Sequence, residues 1–389
     1  MKAQRRVAGV RRLLGGALCA AALFLVVVGT GPSRAQSPAD PPFEVPVADL
    51  AAALECPQPF THPEREPVLL VHGTFTNGHE NFSWNWELAL PSRGYDYCLV
   101  TYPNRGTGDM QISAEYVAYA VQEMHRRTGA KIDVVGHSQG GLMPRWAIKW
   151  WPSVQAAVDD YVMLAGPNHG VGLAASAEQS PVPIVPVGYQ FAATSKFITA
   201  LNAGDESPGA VDYSSIYSIT DELVQPATTA PLEAGHEPPN VRNVSVQDVC
   251  PGRIVDHLTI GTTDRLTMEL VVDALSHPGP VDPARVPAVP TCLLPDQYAV
   301  PEQFPVLFEQ FQRSFSGGFP EFGLTDTEPP LKAYAQPAAT PAPAPPAPSA
   351  GVEASRAAAG QLAATGGTFP VATGLALVAL ALFSRKLVR

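Results

Sequence analysis

The stretch Lys131–Pro152 constrains this chain more than any other. Ile132, Val134 and Val135 are apolar and β-branched, which predicts a short buried strand. Gly136, Ser138 and Gly140 then complete a G-x-S-x-G pattern, and Leu142, Trp146 and Trp150 follow at helical spacing. Strand, sharp turn and helix, in that order, hold a serine hydroxyl out at the C-terminal edge of a sheet. The flanking glycines suit a turn too tight for side chains. Ser138 is therefore a candidate nucleophile. A serine nucleophile also needs a base, a carboxylate to fix the tautomer of that base, and N–H donors for the oxyanion.

Partners of each kind occur along the chain. Pro67–Val71 reads as a strand and ends in the glycine-bracketed loop His72-Gly73-Thr74-Phe75-Thr76-Asn77-Gly78. The backbone N–H of Thr74 there, with that of Gln139 next to the nucleophile, is a candidate oxyanion hole, and the Thr74 hydroxyl offers a third donor. Tyr213–Thr220 reads as a strand with Asp221 directly after it, the position of a triad carboxylate; Asp205, Asp212 and Glu222 compete. Asn243–Val249 is a further strand, and His257 follows it in a loop. His236 lies in a polar run and His277 precedes Pro278. Ser138, Asp221 and His257 thus stand in the order Ser…Asp…His.

Between these points the pattern alternates. Tyr95–Tyr102 and Tyr161–Leu164 read as strands. Ser113 can cap a helix that runs to Arg127 with Tyr116, Val117, Ala120, Val121 and Met124 on its apolar face, and Gly129 can stop it. Alternation of strand and helix predicts an α/β domain with a mostly parallel central sheet, helices on both faces. Pro144, inside the helix after Ser138, predicts a kink or a local rearrangement near the site. The apolar, proline-broken segment 172–210 predicts a small cap over the site, and Pro301–Phe315 places Phe304, Leu307, Phe308, Phe311 and Phe315 at helical spacing.

The ends read differently from the middle. Arg5, Arg6, Arg11 and Arg12, the apolar run Leu13–Val28 and Ser33-Arg34-Ala35 predict an export signal over 1–35, cleaved after Ala35. The domain then spans 36–335, opening with an irregular proline-rich lead-in over 36–66. Residues 336–361 form a Pro/Ala-rich linker that cannot bury a core. The formal charge is −11, and removing six leader cations leaves −11 − 6 = −17, which argues against nucleic acid as a partner. In an exported chain Cys56, Cys98, Cys250 and Cys292 predict disulfides; three pairings are possible, and local closure favours Cys56–Cys98 with Cys250–Cys292. No cysteine or histidine cluster predicts a metal, no cofactor is implied, and a monomer is expected.

At the C-terminus Leu362-Ala363-Ala364-Thr365-Gly366 precedes the apolar run Phe369–Phe383 and a basic tail of Arg385, Lys386 and Arg389. This resembles the L-A-x-T-G form of a cell-wall sorting signal. The resemblance implies a sortase and peptidoglycan as partners at Thr365 and a cell-surface location; a membrane span is the alternative.

Six stretches carry a wider resemblance: VLLVHGTFT, NWELALPSRGYDYC, SQGGLMPRW, SIYSITDELVQP, VCPGRIVDHLT and EPPLKAYAQP, in that order from about residue 56 to 337. Together they resemble the α/β-hydrolase lipases of the Candida antarctica lipase B type and of actinobacteria. The resemblance implies a secreted ester hydrolase, most simply a triacylglycerol lipase, acting through an acyl-enzyme. It puts the triad on Ser138, Asp221 and His257, the oxyanion donors on Thr74 and Gln139, and two disulfides on Cys56–Cys98 and Cys250–Cys292. An envelope acyltransferase with the same triad and a sugar or lipid alcohol as acceptor is the alternative. The chain departs from the fungal pattern at His137, where a tryptophan shapes the alcohol side of the pocket, and at Thr327, where a cysteine of a third disulfide would stand.

Overall fold

The computed structural model describes residues 39–57, 59–233, 235–293, 295 and 323–336. The export signal with its cleavage after Ala35, the phenylalanine stripe of 301–315, the linker beyond Gln336 and the sorting signal at Leu362, Thr365 and Gly366 lie outside the described residues. Among the described residues no helix is long and apolar enough to cross a membrane.

Seven strands form one sheet: β1 (Leu54–Glu55), β2 (Val68–Val71), β3 (Tyr97–Val100), β4 (Ile132–His137), β5 (Val158–Leu164), β6 (Asp212–Tyr217) and β7 (Val241–Ser245). Their spatial order is β1-β3-β2-β4-β5-β6-β7, and every neighbouring pair is parallel except β1 with β3. The helices are α1 (Val47–Ala52), α2 (Gly78–Phe82), α3 (Trp86–Ser92), α4 (Met110–Thr128), α5 (Met143–Trp150), α6 (Pro152–Ala157), α7 (Pro186–Gln190), α8 (Lys196–Asn202), α9 (Val246–Val249), α10 (His257–Thr262), α11 (Arg265–Ser276) and α12 (Ala288–Leu293).

The central strands are apolar without a break because both faces are covered. Leu69 and Val71 of β2 and Val134 of β4 meet Leu50 of α1, Val117 and Val121 of α4, Trp146 of α5 and Phe197 of α8. Val68, Leu70 and Val135 turn the other way, onto Trp86 and Leu90 of α3, Ile260 of α10 and Leu266 and Leu270 of α11. The chain runs from β2 outward to β3, then returns to β4 on the far side of β2. The loops after β2 and β4 therefore diverge, and the crevice between them at the carboxyl ends of the strands is the binding position of an open α/β sheet.

Four local expectations change. The lead-in is not wholly irregular, since it holds α1 and the antiparallel edge strand β1, stapled by Cys56–Cys98 to β3. Helix α4 starts three residues before Ser113, because the Asp109 carboxylate caps it by accepting the Gln111 N–H at 2.9 Å. Val246–Val249 is helix and not strand, because the Ser245 hydroxyl accepts the Gln247 N–H and caps it. Segment 172–210 divides: Leu173 and Val182 are exposed, whereas Val187, Phe197, Ile198 and Leu201 belong to the core. Cys250 is joined to Cys292, and the two bridges leave no third pairing among the four cysteines.

Candidate active site

The turn after β4 is tight in a specific way. Ser138 itself takes the left-handed conformation, φ 58°, which is strained for a residue with a side chain. The two glycines are required by close approach. A Cβ on Gly136 would stand 2.0 Å from the Gly140 carbonyl oxygen, and one on Gly140 would stand 2.1 Å from the Val71 carbonyl oxygen of β2. A single 3-10 turn, Ser138–Gly141, leads into α5. Pro144 falls in the first turn of α5, where its missing N–H has no partner to lose, so the expected interior kink does not arise.

Three side chains from distant elements meet at this turn. His257 opens α10, which Asp256 caps by accepting the Thr259 N–H at 2.9 Å. The His257 Nε2 lies 2.8 Å from Ser138 Oγ, and its Nδ1 lies 2.7 Å from Asp221 Oδ2. Asp221 sits in the turn after β6, and its Oδ1 accepts the N–H groups of Leu223 at 2.7 Å and Val224 at 2.9 Å. Both Asp221 and His257 are buried, while Ser138 is half-buried.

Of the competing acids, Glu222 accepts the main-chain N–H of His257 at 3.0 Å. Asp205 accepts the Ser207 N–H, and Asp212 begins β6 at the opposite end of the sheet. His236 is exposed, and His277 ends α11 beside Asp273.

The electrostatics follow from this arrangement. Burial opposes charge on Asp221, but the charge and hydrogen bond of His257 and the two backbone donors outweigh it, holding the carboxyl below the usual range. Burial likewise opposes charge on His257, yet Asp221, with Glu222 and Asp256 beyond, raises its pKa above the ordinary histidine value.

The loop after β2 faces this line. The N–H of Thr74 and that of Gln139 have no hydrogen-bond partner among the described residues. The Thr74 hydroxyl, expected as a third donor, instead donates to Gln139 Oε1 at 2.9 Å and so ties the two candidate donors together. The Phe75 N–H donates to the Arg105 carbonyl at 2.6 Å, and the Arg105 guanidinium returns a bond to the Phe75 carbonyl at 2.9 Å and pairs with Glu80. Phe75 holds φ 66° under this brace. Asn81, whose Oδ1 accepts the Gly73 N–H at 3.0 Å, Arg105 and Glu80 escape a reading of the sequence, which carries no local signal for them; Glu222 is visible there only as a rival to its neighbour.

Residues 65–248 match the lipase (class 2) family. His257 lies just beyond the matched span. The chain is 33% identical over 244 residues to Lipase B of Pseudozyma antarctica, covering 62% of this chain and 69% of that one. It is 28% identical over 123 residues to Triacylglycerol lipase of Pseudomonas fragi, covering 31% of this chain and 40% of that one. Among solved structures, Aspergillus fumigatus lipase B superposes with a TM-score of 0.68 at 28% identity, covering 79% of this chain and 76% of that one.

Proposed function

This chain belongs to the class 2 lipase family and is a serine ester hydrolase, and from that premise we propose that it hydrolyses triacylglycerols and related carboxylic esters through Ser138, His257 and Asp221. One observation carries the reading. A continuous line runs from Asp221 through His257 to Ser138 at 2.7 and 2.8 Å, beside the N–H groups of Thr74 and Gln139, which have no partner among the described residues. The name of the Pseudomonas fragi relative supports triacylglycerol as the substrate class.

In this mechanism neutral His257 takes the Ser138 proton as Oγ attacks the acyl carbon, and Asp221 stabilises the imidazolium that forms. The carbonyl oxygen becomes anionic and accepts from the N–H groups of Thr74 and Gln139. Collapse expels the alcohol, which takes the proton from Nε2 and leaves the acyl group on Ser138. Water then attacks with His257 again as base, releasing the carboxylic acid and restoring the serine.

The two disulfides fit an oxidising compartment and so support export by the 1–35 leader; attachment to the cell surface through Thr365 rests on the resemblance of Leu362–Gly366 to a sorting signal. The test of the catalytic reading is Ser138→Ala. It is expected to abolish release of fatty acid from emulsified triolein and of p-nitrophenol from p-nitrophenyl esters. Retention of wild-type rates refutes the assignment.

A further inference from the structure

His137, the residue before the nucleophile, is held in a way that the hydrolytic line does not require. Its ring is buried, 4% exposed, and lies 5.2 Å from the His257 ring, centroid to centroid. It is seated against α10, where a Cβ on Gly261 would come within 2.1 Å of its Cδ2. Its Nε2 lies 2.9 Å from the main-chain carbonyl oxygen of His257, and its Nδ1 lies 3.3 Å from both Nδ2 and Oδ1 of the Asn81 amide.

These contacts determine where the proton sits. A carbonyl oxygen only accepts, so Nε2 carries the hydrogen and donates. On the other side, Asn81 Oδ1 accepts the Gly73 N–H at 3.0 Å, and the Thr76 hydroxyl lies 2.9 Å from the Gly73 carbonyl and 3.2 Å from Asn81 Oδ1. In the neutral ring Nδ1 is then bare and can only accept, so of the two Asn81 atoms beside it the Nδ2 is the one that donates. Burial first, and the charge of His257 second, hold the pKa of His137 down to about 3, so the ring keeps this neutral form throughout the working range. One line of bonds then runs from the Gly73 N–H, beside Thr74, through Asn81 and His137 to the backbone of His257.

We propose that His137 is a positioning residue: in its Nε2–H tautomer, with Nδ1 accepting from Asn81, it holds the main-chain carbonyl of His257 and registers the general base against the oxyanion loop. At the position where the chain departs from the fungal pattern, His137 forms a strap between two loops of the candidate site. The inference rests on the proposed roles of His257 and Thr74.

Three measurements test it on the full chain. In the resting enzyme, long-range ¹H–¹⁵N correlation spectra are expected to show the His137 proton on Nε2 from about pH 5 to 9. A proton on Nδ1, or on both nitrogens, overturns the proposal, and this readout needs no variant. His137→Leu keeps bulk but neither polar role. It is expected to lower kcat about 10- to 100-fold with KM within about twofold. The acid limb of its kcat/KM profile is expected to move to lower pH as His257 loosens from Asp221. His137→Gln, which retains a donor, is expected to return to within about fivefold of wild type. Asn81→Leu is expected to lose kcat in the same direction, and the double variant to fall no further than the worse single. Wild-type kcat in His137→Leu, a loss confined to KM, or fully additive losses overturn the positioning role. If Ser138→Ala is inactive while His137→Leu is untouched, only the strap fails; if Ser138→Ala is active, the hydrolytic reading beneath it fails.

Discussion

Replacing Asp221 by Asn changes one charge in a site that otherwise has every reason to keep its shape. The asparagine Oδ1 can still accept from the N–H groups of Leu223 and Val224, so the turn after β6 stays anchored and thermal stability is expected to remain close to wild type. What is lost is the interaction with the imidazolium. At an effective dielectric constant of about 20, unit charges 2.7 Å apart attract by about 6 kcal/mol. Glu222 and Asp256 also favour the charged histidine and remain in place, so the net loss is smaller, about 4–5 kcal/mol, or about 10³–10⁴-fold in rate.

The tautomer shifts in the same direction. An asparagine NH₂ facing Nδ1 would drive the proton to Nε2, aimed at Ser138, where it cannot accept the hydroxyl proton. The assay is kcat/KM on p-nitrophenyl butyrate across pH, with the melting temperature as a control. The expected result is a loss of about three to four decades with an acid limb displaced to lower pH. A folded variant within tenfold of wild type, or one with an unmoved limb, would refute the electrostatic role given to Asp221.

Three further outcomes are expected. In the wild-type enzyme kcat/KM should fall on acidification with a midpoint above 6.5, because the working form of His257 is neutral and its pKa is raised from that value; a midpoint at or below 6.5 contradicts the assignment. Burial, with Asp159, Asp212 and Glu66, pushes the Asp160 carboxyl up to about 8, so the folded state keeps that proton longer than the unfolded chain, and stability falls as pH rises from the ordinary carboxylate range through about 8. Asp160→Asn should flatten that slope and add about 1–3 kcal/mol in urea unfolding near pH 9, and an unchanged slope refutes the reading. Gly140→Ala, whose methyl would meet the backbone oxygens of Val71 and His72 at 2.1 and 2.9 Å, should cost about 3 kcal/mol or more together with activity; a wild-type urea midpoint would show that the turn has room to move.

Much of the architecture is legible because it is local or periodic. The apolar run Val68–Val71, the β-branched residues of Ile132–Val135, the amphipathic spacing from Tyr116 to Met124 and the G-x-S-x-G turn each state their geometry within a few residues. The misreadings at Ser113 and Val246–Val249 both concern where a helix begins. Asp109 and not Ser113 caps α4, and Ser245 caps a helical turn at the end of an apolar run that reads as strand; in each case a side-chain oxygen meeting a backbone N–H decides, which spacing cannot show. Segment 172–210 reads as a cap from its apolar, proline-broken pattern, yet Phe197 within it stacks on Trp146 with centroids 4.4 Å apart, a contact whose partner lies far back in the chain.

The sequence alone determined the turn around Ser138, the alternation that builds a parallel sheet, and the order in which a serine, an acid and a histidine follow one another. Each depends on neighbours, on steric limits at two glycines and on a period of side chains. Only the tertiary structure decided that Asp221 and not Glu222 meets the His257 ring, that the Thr74 hydroxyl turns to Gln139, and that His137 reaches the backbone of α10. Those partners are separated by 36, 65 and 120 residues. Distances of that kind are set by how the sheet is covered on its two faces, a property of the packed whole that no stretch of chain carries by itself.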